Sequence, residues 1–342
     1  MKKIVIVTNS ISGGGAERSM NLLANMLFEQ GKSVTLIAIN KSDPDAISIK
    51  CPVFKIDRVW NGSLIDTINS WFKFQKILIK LGAEITILNC DLPEFFGAIS
   101  FSRSKIICVE HSNNPWHTRT KLGIIIRKIL SIKKVTWVGV SNFIKVWPSE
   151  IPPKIVIPNP IWRVDKNFDN FSGPIKRLIF VGRLTYQKNP QAFLEVVKQT
   201  NISGLILGTG PDIGELKSLI ESSHIDVELK GFVQDPWEFL TNGDLLLVPS
   251  RWEGDGLVVI EALQRKVPII ISSIHEFKRF KLPNINYAAN TQDFIGLIKE
   301  NAKKSQVFKV SAGINQKVFA SRDPNSISAS WINLIDSIKN SQ

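Results

Sequence analysis

LLLVPSRWEGDGLVVIEALQRKVP, residues Leu245–Pro268, decides how this chain is read. Its apolar head, Leu245–Pro249, predicts a buried strand of a parallel sheet, because no polar residue alternates within it. A short loop, Ser250–Asp255, follows, and Gly256 opens a helix that carries Val258, Val259, Ala262 and Leu263. The amides of Gly254, Asp255, Gly256 and Leu257 precede the first intrahelical hydrogen bond, and the two glycines let a ligand approach the backbone. The turn is therefore an expected anion site, with phosphate the anion. Two carboxylates, Glu253 and Glu261, flank it. A carboxylate only accepts hydrogen bonds, so it suits a pair of hydroxyls and repels phosphate. The pattern fits a ligand with hydroxyls at both ends and phosphate between them, the layout of a nucleoside-diphosphate sugar. A capping Glu253 and a solvated Glu261 fit the local sequence too.

The surrounding chain has 342 residues and is 44% hydrophobic, enough for two globular domains. Cys51, Cys90 and Cys108 lie far apart, without CxxC pairing, and fit a reducing compartment. Met1–Val7 is a strand pattern with no signal-peptide core, and no apolar run approaches ~18 residues, so a cytoplasmic protein that does not span a membrane is expected. The net charge of +13 admits nucleic acid, an anionic membrane surface or an anionic small substrate as partner.

From the N-terminus, strand Lys3–Asn9 runs into SISGGGAE, Ser10–Glu17, then a helix whose apolar face is Met20, Leu23, Ala24 and Leu27. Gly13, Gly14 and Gly15 follow neither GxGxxG nor the Walker spacing, and the loop serves equally as a tight connection or a ligand contact. Strand Val34–Ile39, apolar Ile85–Leu88, helix-like Glu94–Ser100, strand Lys105–Glu110 and strand Val135–Val140 continue the alternation. Strands alternating with helices predict a doubly wound parallel α/β sheet, whose ligands sit at strand C-ends. His111 falls at such an end.

Arg119–Lys134 places Leu122, Ile125, Ile126, Ile129 and Leu130 on one helical face, with Arg119, Lys121, Arg127, Lys128, Lys133 and Lys134 around it. It fits a helix lying on anionic lipid and, as well, a core-packed helix with a solvated basic side. Trp71–Leu81 has the same ambiguity. Neither stretch carries a recognition-helix or RNP-type pattern, which makes nucleic acid the weaker reading for both. Pro148–Pro160 and the polar Lys166–Pro174 mark the domain boundary.

The second half restarts the alternation with strand Leu178–Val181, Gly182-Arg183-Leu184, and Lys188-Asn189-Pro190 opening a helix. Arg183 and Lys188 at this turn suit a diphosphate and would offset the carboxylates of the Leu245–Pro268 stretch, although the local sequence alone favours two solvated surface cations. Gly208, Gly210 and Gly214 make GxGxxxG, and the next strand ends in Lys230 where a ribose-binding acid would be wanted, so a redox dinucleotide site is disfavoured. No metal cluster is evident: the four histidines stand apart, and Asp43-Pro44-Asp45 lies in a polar loop without supporting ligands.

Taken together, SGGGAER (Ser12–Arg18), EHSN (Glu110–Asn113), VSNF (Val140–Phe143), VIPNPI (Val156–Ile161), VGRLTYQKNP (Val181–Pro190), LGTGPDIGELK (Leu207–Lys217), KGFVQD (Lys230–Asp235) and EGDGLVVIEA (Glu253–Ala262) resemble the retaining GT-B glycosyltransferases of the family 4 type, in the family's order. The resemblance implies two Rossmann-like domains facing across a cleft. Residues 1–160 would bind the acceptor, 161–325 the nucleotide-sugar donor, and the helix of 326–342 would cross back to the first domain. It implies His111, Arg183, Lys188 and Glu253 as catalytic residues. Donor contacts would come from Gly14, Gly15, Gly182, Gly210, Phe232, Val233, Gly254, Asp255, Gly256, Leu257, Val258 and Glu261. No cofactor or metal is required, and the expected donor is a UDP-sugar. The expected acceptor is a lipid-linked or lipopolysaccharide/capsule-type glycan, met by a peripheral enzyme on the cytoplasmic face of the inner membrane. Two departures stand out. Asp255 replaces an apolar or aromatic residue and is expected to read sugar hydroxyls or narrow the donor choice, and Ser272–Phe277 replaces the family's usual segment after Pro268.

Overall fold

The computed structural model describes residues 2–12, 14–41, 48–59, 62–117, 119–161, 174–304 and 316–338. Gly13, Asp43-Pro44-Asp45 and most of Lys166–Pro174 lie outside them. The chain divides into two compact units, one of residues 1–161 with 321–342, the other of 162–320.

The first unit is a parallel sheet of β1 (Lys3–Thr8), β2 (Ser33–Asn40), β3 (Val53–Arg58), β4 (Ile85–Asn89), β5 (Lys105–Glu110), β6 (Thr136–Gly139) and β7 (Ile155–Val156), in the order β3-β2-β1-β4-β5-β6-β7. Helices α1 (Gly15–Glu29), α2 (Leu64–Leu81), α3 (Asp91–Ala98) and α4 (Thr120–Ile132) connect the strands. The order reverses between β1 and β4, the switch point of a doubly wound sheet. β1 is buried from Ile4 to Thr8, as its unbroken IVIVT predicts. β3, VFKIDR, alternates because it is an edge strand with one covered face.

Helix α4 departs from the sequence expectation. Its buried stripe is Gly123, Ile126, Arg127 and Leu130, whereas Leu122 and Ile125 are exposed. The cause is close packing at Gly123, where a Cβ would lie 2.4 Å from the Trp116 ring, which turns the helix so that Arg127 points inward. Arg127 thus leaves the basic rim predicted for it.

The second unit holds β8 (Arg177–Val181), β9 (Ser203–Leu207), β10 (Val227–Gly231), β11 (Asp244–Val248), β12 (Ile269–Ser272) and β13 (Tyr287–Ala288), all parallel, in the order β10-β9-β8-β11-β12-β13. Its helices are α5 (Pro190–Thr200), α6 (Ile213–Ser223), α7 (Leu257–Gln264), α8 (His275–Lys278), α9 (Thr291–Lys304) and α10 (Gln316–Ala320). β8 pairs with β11, in register from Arg177 opposite Asp244. The switch point therefore lies between these strands, and the loops after them, 182–189 and 249–256, leave the sheet side by side. The last helix, α11 (Pro324–Ser337), buries Ile327, Trp331, Leu334 and Ile335 in the core of the first unit. Among the described residues no helix is long and apolar enough to cross a membrane.

Candidate functional site

The two loops at the second switch point are stitched to each other. Asn189 Nδ2 donates to Pro249 O at 3.2 Å, Gln187 Nε2 to Trp252 O at 3.0 Å, and the Arg251 amide to Gln187 O at 2.8 Å. Arg251 also stacks over Tyr186, 4.1 Å from the ring centroid, and donates to Asn189 Oδ1 at 2.9 Å. Asn189 takes the left-handed conformation (φ 57°), which an asparagine tolerates, and Pro190 then starts α5.

This stitching brings Lys188 to Glu253. Lys188 Nζ donates to Glu253 Oε1 at 2.6 Å and Ser250 Oγ to the same oxygen at 2.7 Å, with Glu253 buried. Oε2 takes no hydrogen bond within the described residues and stays available to a ligand hydroxyl. The adjacent Lys188 ammonium and the Ser250 hydroxyl offset the cost of burying the Glu253 side chain. Arg183, one strand-end earlier, is exposed and makes no ion pair or hydrogen bond among the described residues.

Gly256 caps α7 in the left-handed region (φ 61°), and a Cβ there would meet the Phe277 ring at 2.7 Å, so both conformation and space require glycine. The first helical bonds are made by Val259 and Ile260 to Gly256 O, which leaves the amides of Gly256, Leu257 and Val258 outside the ladder. The first turn of α7 holds no acid. By contrast, α1, which follows Gly14, buries Glu17 in its own first turn, and Asn9 Nδ2 donates to that carboxylate at 3.4 Å. Of the two glycine turns, the one at α7 is the better anion site.

Glu261, eight residues beyond Glu253, is buried and accepts from Trp237 Nε1 at 3.0 Å. The Arg265 guanidinium lies over that indole, 5.0 Å from the ring centroid. Phe232 is exposed and Val233 half-buried in the segment after β10. Glycines of the loops after β8 and β9 serve packing: a Cβ on Gly208 would lie 1.9 Å from Gly182 O, and one on Gly210 2.2 Å from Leu184 O. Their spacing follows from the close approach of two backbones, with no dinucleotide needed to explain it.

Asp255 departs from expectation. Its side chain is buried in an ion pair with Arg279, Nη2 to Oδ1 at 3.0 Å, and the same guanidinium nitrogen donates to Asp255 O. A carboxylate so engaged tethers the turn to α8 and does not present itself as an open reader of sugar hydroxyls. Sequence reasoning missed Ser250, Trp237 and Arg279. Ser250 lies three residues before Glu253 and was findable by that spacing; Trp237 and Arg279 sit on other elements, and nothing in the sequence signals their approach.

His111 belongs to the first unit, directly after β5. Glu110, the last residue of β5, points into a buried cluster: Arg127 donates to Glu94 through Nε (3.0 Å) and Nη2 (2.7 Å), to Glu110 through Nη1, and to Trp147 O at 2.6 Å. Trp116 Nε1 adds a bond to Glu94 at 2.9 Å, and Trp137 stacks under the guanidinium at 4.7 Å. Burial raises the Glu110 carboxyl to about 7 in spite of Arg127, and raises that of Glu94. Burial alone would depress Arg127, but the two carboxylates outweigh it and hold it firmly charged.

Residues 165–280 match the family described as Glycosyl transferases group 1. An alpha-1,4-N-acetyl-D-galactosaminyltransferase of Campylobacter jejuni, named for a PP-undecaprenol-linked glycan, is 25% identical over 80% of this chain and 80% of its own. The amylovoran biosynthesis glycosyltransferase AmsD of Erwinia amylovora is 25% identical over 79% of this chain and 80% of its own. Among solved structures, HepE of Anabaena in complex with UDP and glucose superposes with a TM-score of 0.75 over 98% of this chain and 100% of its own, at 14% identity. That likeness matches the fold found here, two Rossmann-like domains of the GT-B type. The fold is that of the GT-B glycosyltransferases, and the chain is similar to the glycosyl transferases group 1 family over residues 165–280.

Proposed function

We propose that the chain transfers one sugar from a UDP-sugar to a hydroxyl of a lipid-linked or lipopolysaccharide/capsule-type glycan, with retention of anomeric configuration and without a metal. The observation that carries the donor reading is the Lys188–Glu253–Ser250 cluster at the β8/β11 switch point, beside the open N-terminus of α7. Glu253 Oε2 accepts from hydroxyls of the transferred sugar, and Glu261 accepts from the ribose. Arg183, Lys188 and the amides of Gly256, Leu257 and Val258 meet the diphosphate, so its developing charge is neutralised by groups already in place. Gly14 and Gly15 approach the phosphates or the acceptor, Phe232 and Val233 flank the nucleotide, and His111 lies over the reacting sugar.

In the transfer step the acceptor oxygen bonds to the anomeric carbon on the face the diphosphate leaves. The anomeric C–O bond breaks, its electron pair departs with the diphosphate, and the hydroxyl proton passes to a departing phosphate oxygen. No protein nucleophile is needed, and the leaving group's stabilisation falls to the cations. Support for the acceptor class comes from relatives whose names specify a PP-undecaprenol-linked glycan or an exopolysaccharide. The enzyme works at the cytoplasmic face of the inner membrane, with the net charge of +13 favouring an anionic surface.

The test is a thermal-shift panel of nucleotide sugars followed by turnover of Lys188→Ala, Glu253→Ala and Arg183→Ala. A donor present at ~100 times its Kd raises stability by about 2.7 kcal/mol, easily seen in Tm. Each variant is expected to lose at least ~100-fold in kcat/KM with its fold intact. Near-wild-type turnover in all three would sink the assignment.

A further inference from the structure

Ser250 stands just beyond the end of β11 and is buried. The chain on either side of it is tied to the loop after β8, since Pro249 O accepts from Asn189 Nδ2 and the Arg251 amide donates to Gln187 O. Among the described residues its hydroxyl makes one hydrogen bond, to Glu253 Oε1 at 2.7 Å. No helix includes these two residues, α7 starting only at Leu257, so the bond caps nothing.

A carboxylate oxygen has two lone pairs, and on Oε1 of Glu253 both are taken, by Lys188 and by Ser250. Oε2 is the oxygen left for a ligand. The two donors differ in permanence. Lys188 carries its charge on a long stem, its side chain is 22% exposed, and in the proposed function it also meets the diphosphate, so its position follows the ligand. Ser250 is sealed in the loop and its side chain bonds to nothing else described. The lysine balances the charge of Glu253, and the serine keeps its orientation.

Orientation matters because the last torsion of a glutamate is soft and nearly two-fold. A carboxylate held at neither oxygen turns about that bond, offers both oxygens in several directions, and must be ordered when the sugar binds. Held at Oε1, it presents Oε2 in one direction before any ligand arrives.

We infer that Ser250 is a positioning residue for the donor sugar: it holds Glu253 Oε1 so that Oε2 alone accepts from the sugar's hydroxyls. The inference rests on the donor reading of the proposed function and adds to it a residue that touches no substrate.

The test compares dissociation constants of the full chain for UDP and for UDP-glucose, UDP-galactose, UDP-N-acetylglucosamine and UDP-N-acetylgalactosamine, measured by calorimetry on the wild type, Ser250→Ala, Glu253→Ala and the double variant. Ser250→Ala is expected to weaken the tightest UDP-sugar about tenfold, the scale of a lost hydrogen bond to a charged group, and to change UDP affinity less than about twofold. In the Glu253→Ala background the same substitution should change UDP-sugar affinity less than about twofold, because the hydroxyl then has no carboxylate to hold. Equal weakening of UDP and UDP-sugar in Ser250→Ala would mark a loop brace and overturn the role. So would an unchanged UDP-sugar affinity, or a loss as large in the Glu253→Ala background as in the wild type. A wild type that binds neither UDP nor any of the four sugars refutes the donor reading and this role with it, whereas normal wild-type binding with any of the other three results refutes the role alone.

Discussion

Replacing Glu110 by glutamine tests the buried cluster beside His111 through the pH dependence of stability. Arg127 faces Glu94 and Glu110, side chains 3%, 1% and 1% exposed, so one guanidinium serves two carboxyls with Cys108 and the Trp147 carbonyl around them. With both ionised the cluster would bury one uncompensated negative charge, and the pair instead retains a proton up to about pH 7. The sign follows from linkage. The folded pKa lies above the ordinary 4.5, so between these values the folded chain binds a proton that the unfolded chain has lost. Stability from this group is complete below about 4.5, falls by about 1.4 kcal/mol per pH unit, and is gone above about 7, a total of roughly 3 kcal/mol. Glutamine keeps the shape and carries no titrating proton. Its altered hydrogen bonding to Arg127 adds a constant cost at every pH. Urea unfolding of both proteins between pH 4.5 and 8, followed by tryptophan emission to which Trp116, Trp137 and Trp147 contribute, should show the wild type losing roughly 3 kcal/mol relative to the variant, with no further loss above pH 7.5. A difference flat across the range would refute the buried proton.

Two pairs of substitutions probe the second unit. Arg279→Leu strands Asp255 in a buried position and should lower the Tm of the second unit by roughly 6–12 °C, from a loss of about 3 kcal/mol, whereas adding Asp255→Asn should restore part of it; additive losses in calorimetry would show the pair is not coupled. Gly208→Ala should cost more than about 2 kcal/mol because its Cβ would lie 1.9 Å from Gly182 O at φ 155°, while Gly214→Ala, with nothing within 4 Å, should be neutral or stabilising; equal urea midpoints for the two would contradict the close-packing reading of the glycine spacing.

What was legible in the sequence was whatever a local period or a turn carries. The apolar runs of β1, β5, β8 and β11 are buried strands of parallel sheets, and GDG before Leu257 opens a helix with a left-handed glycine. The short edge strands β7 and β13, two residues each, have no period to read. The face of α4 was misread for a related reason. Its sequence gives two plausible stripes, and the choice is made by Trp116 against Gly123 and by Glu94 and Glu110, 33 and 17 residues before Arg127. A helical wheel ranks apolar faces and carries no term for a buried ion cluster supplied by other elements.

The same distinction bears on how the proposed anion site coexists with three buried acids. In the sequence, Glu253, Asp255 and Glu261 stand within nine residues of one turn, and only Arg183 and Lys188 were assigned to offset them. The structure divides the work differently. Lys188 is on Glu253, Arg279 on Asp255, and Glu261 is held by the Trp237 indole with Arg265 against its ring. Each acid has a local partner, so the field reaching the N-terminus of α7 is not that of three bare carboxylates. Arg183, exposed and without an ion pair among the described residues, and the amides before Val259 are then the positive groups left over. In the proposed function these meet the diphosphate, and Lys188, bridging Glu253 and the phosphate, couples the grip on the sugar to the charge of the leaving group. Loss of Lys188 should therefore impair transfer more than loss of Arg183, because it removes a phosphate contact and also leaves Glu253 buried without its cation.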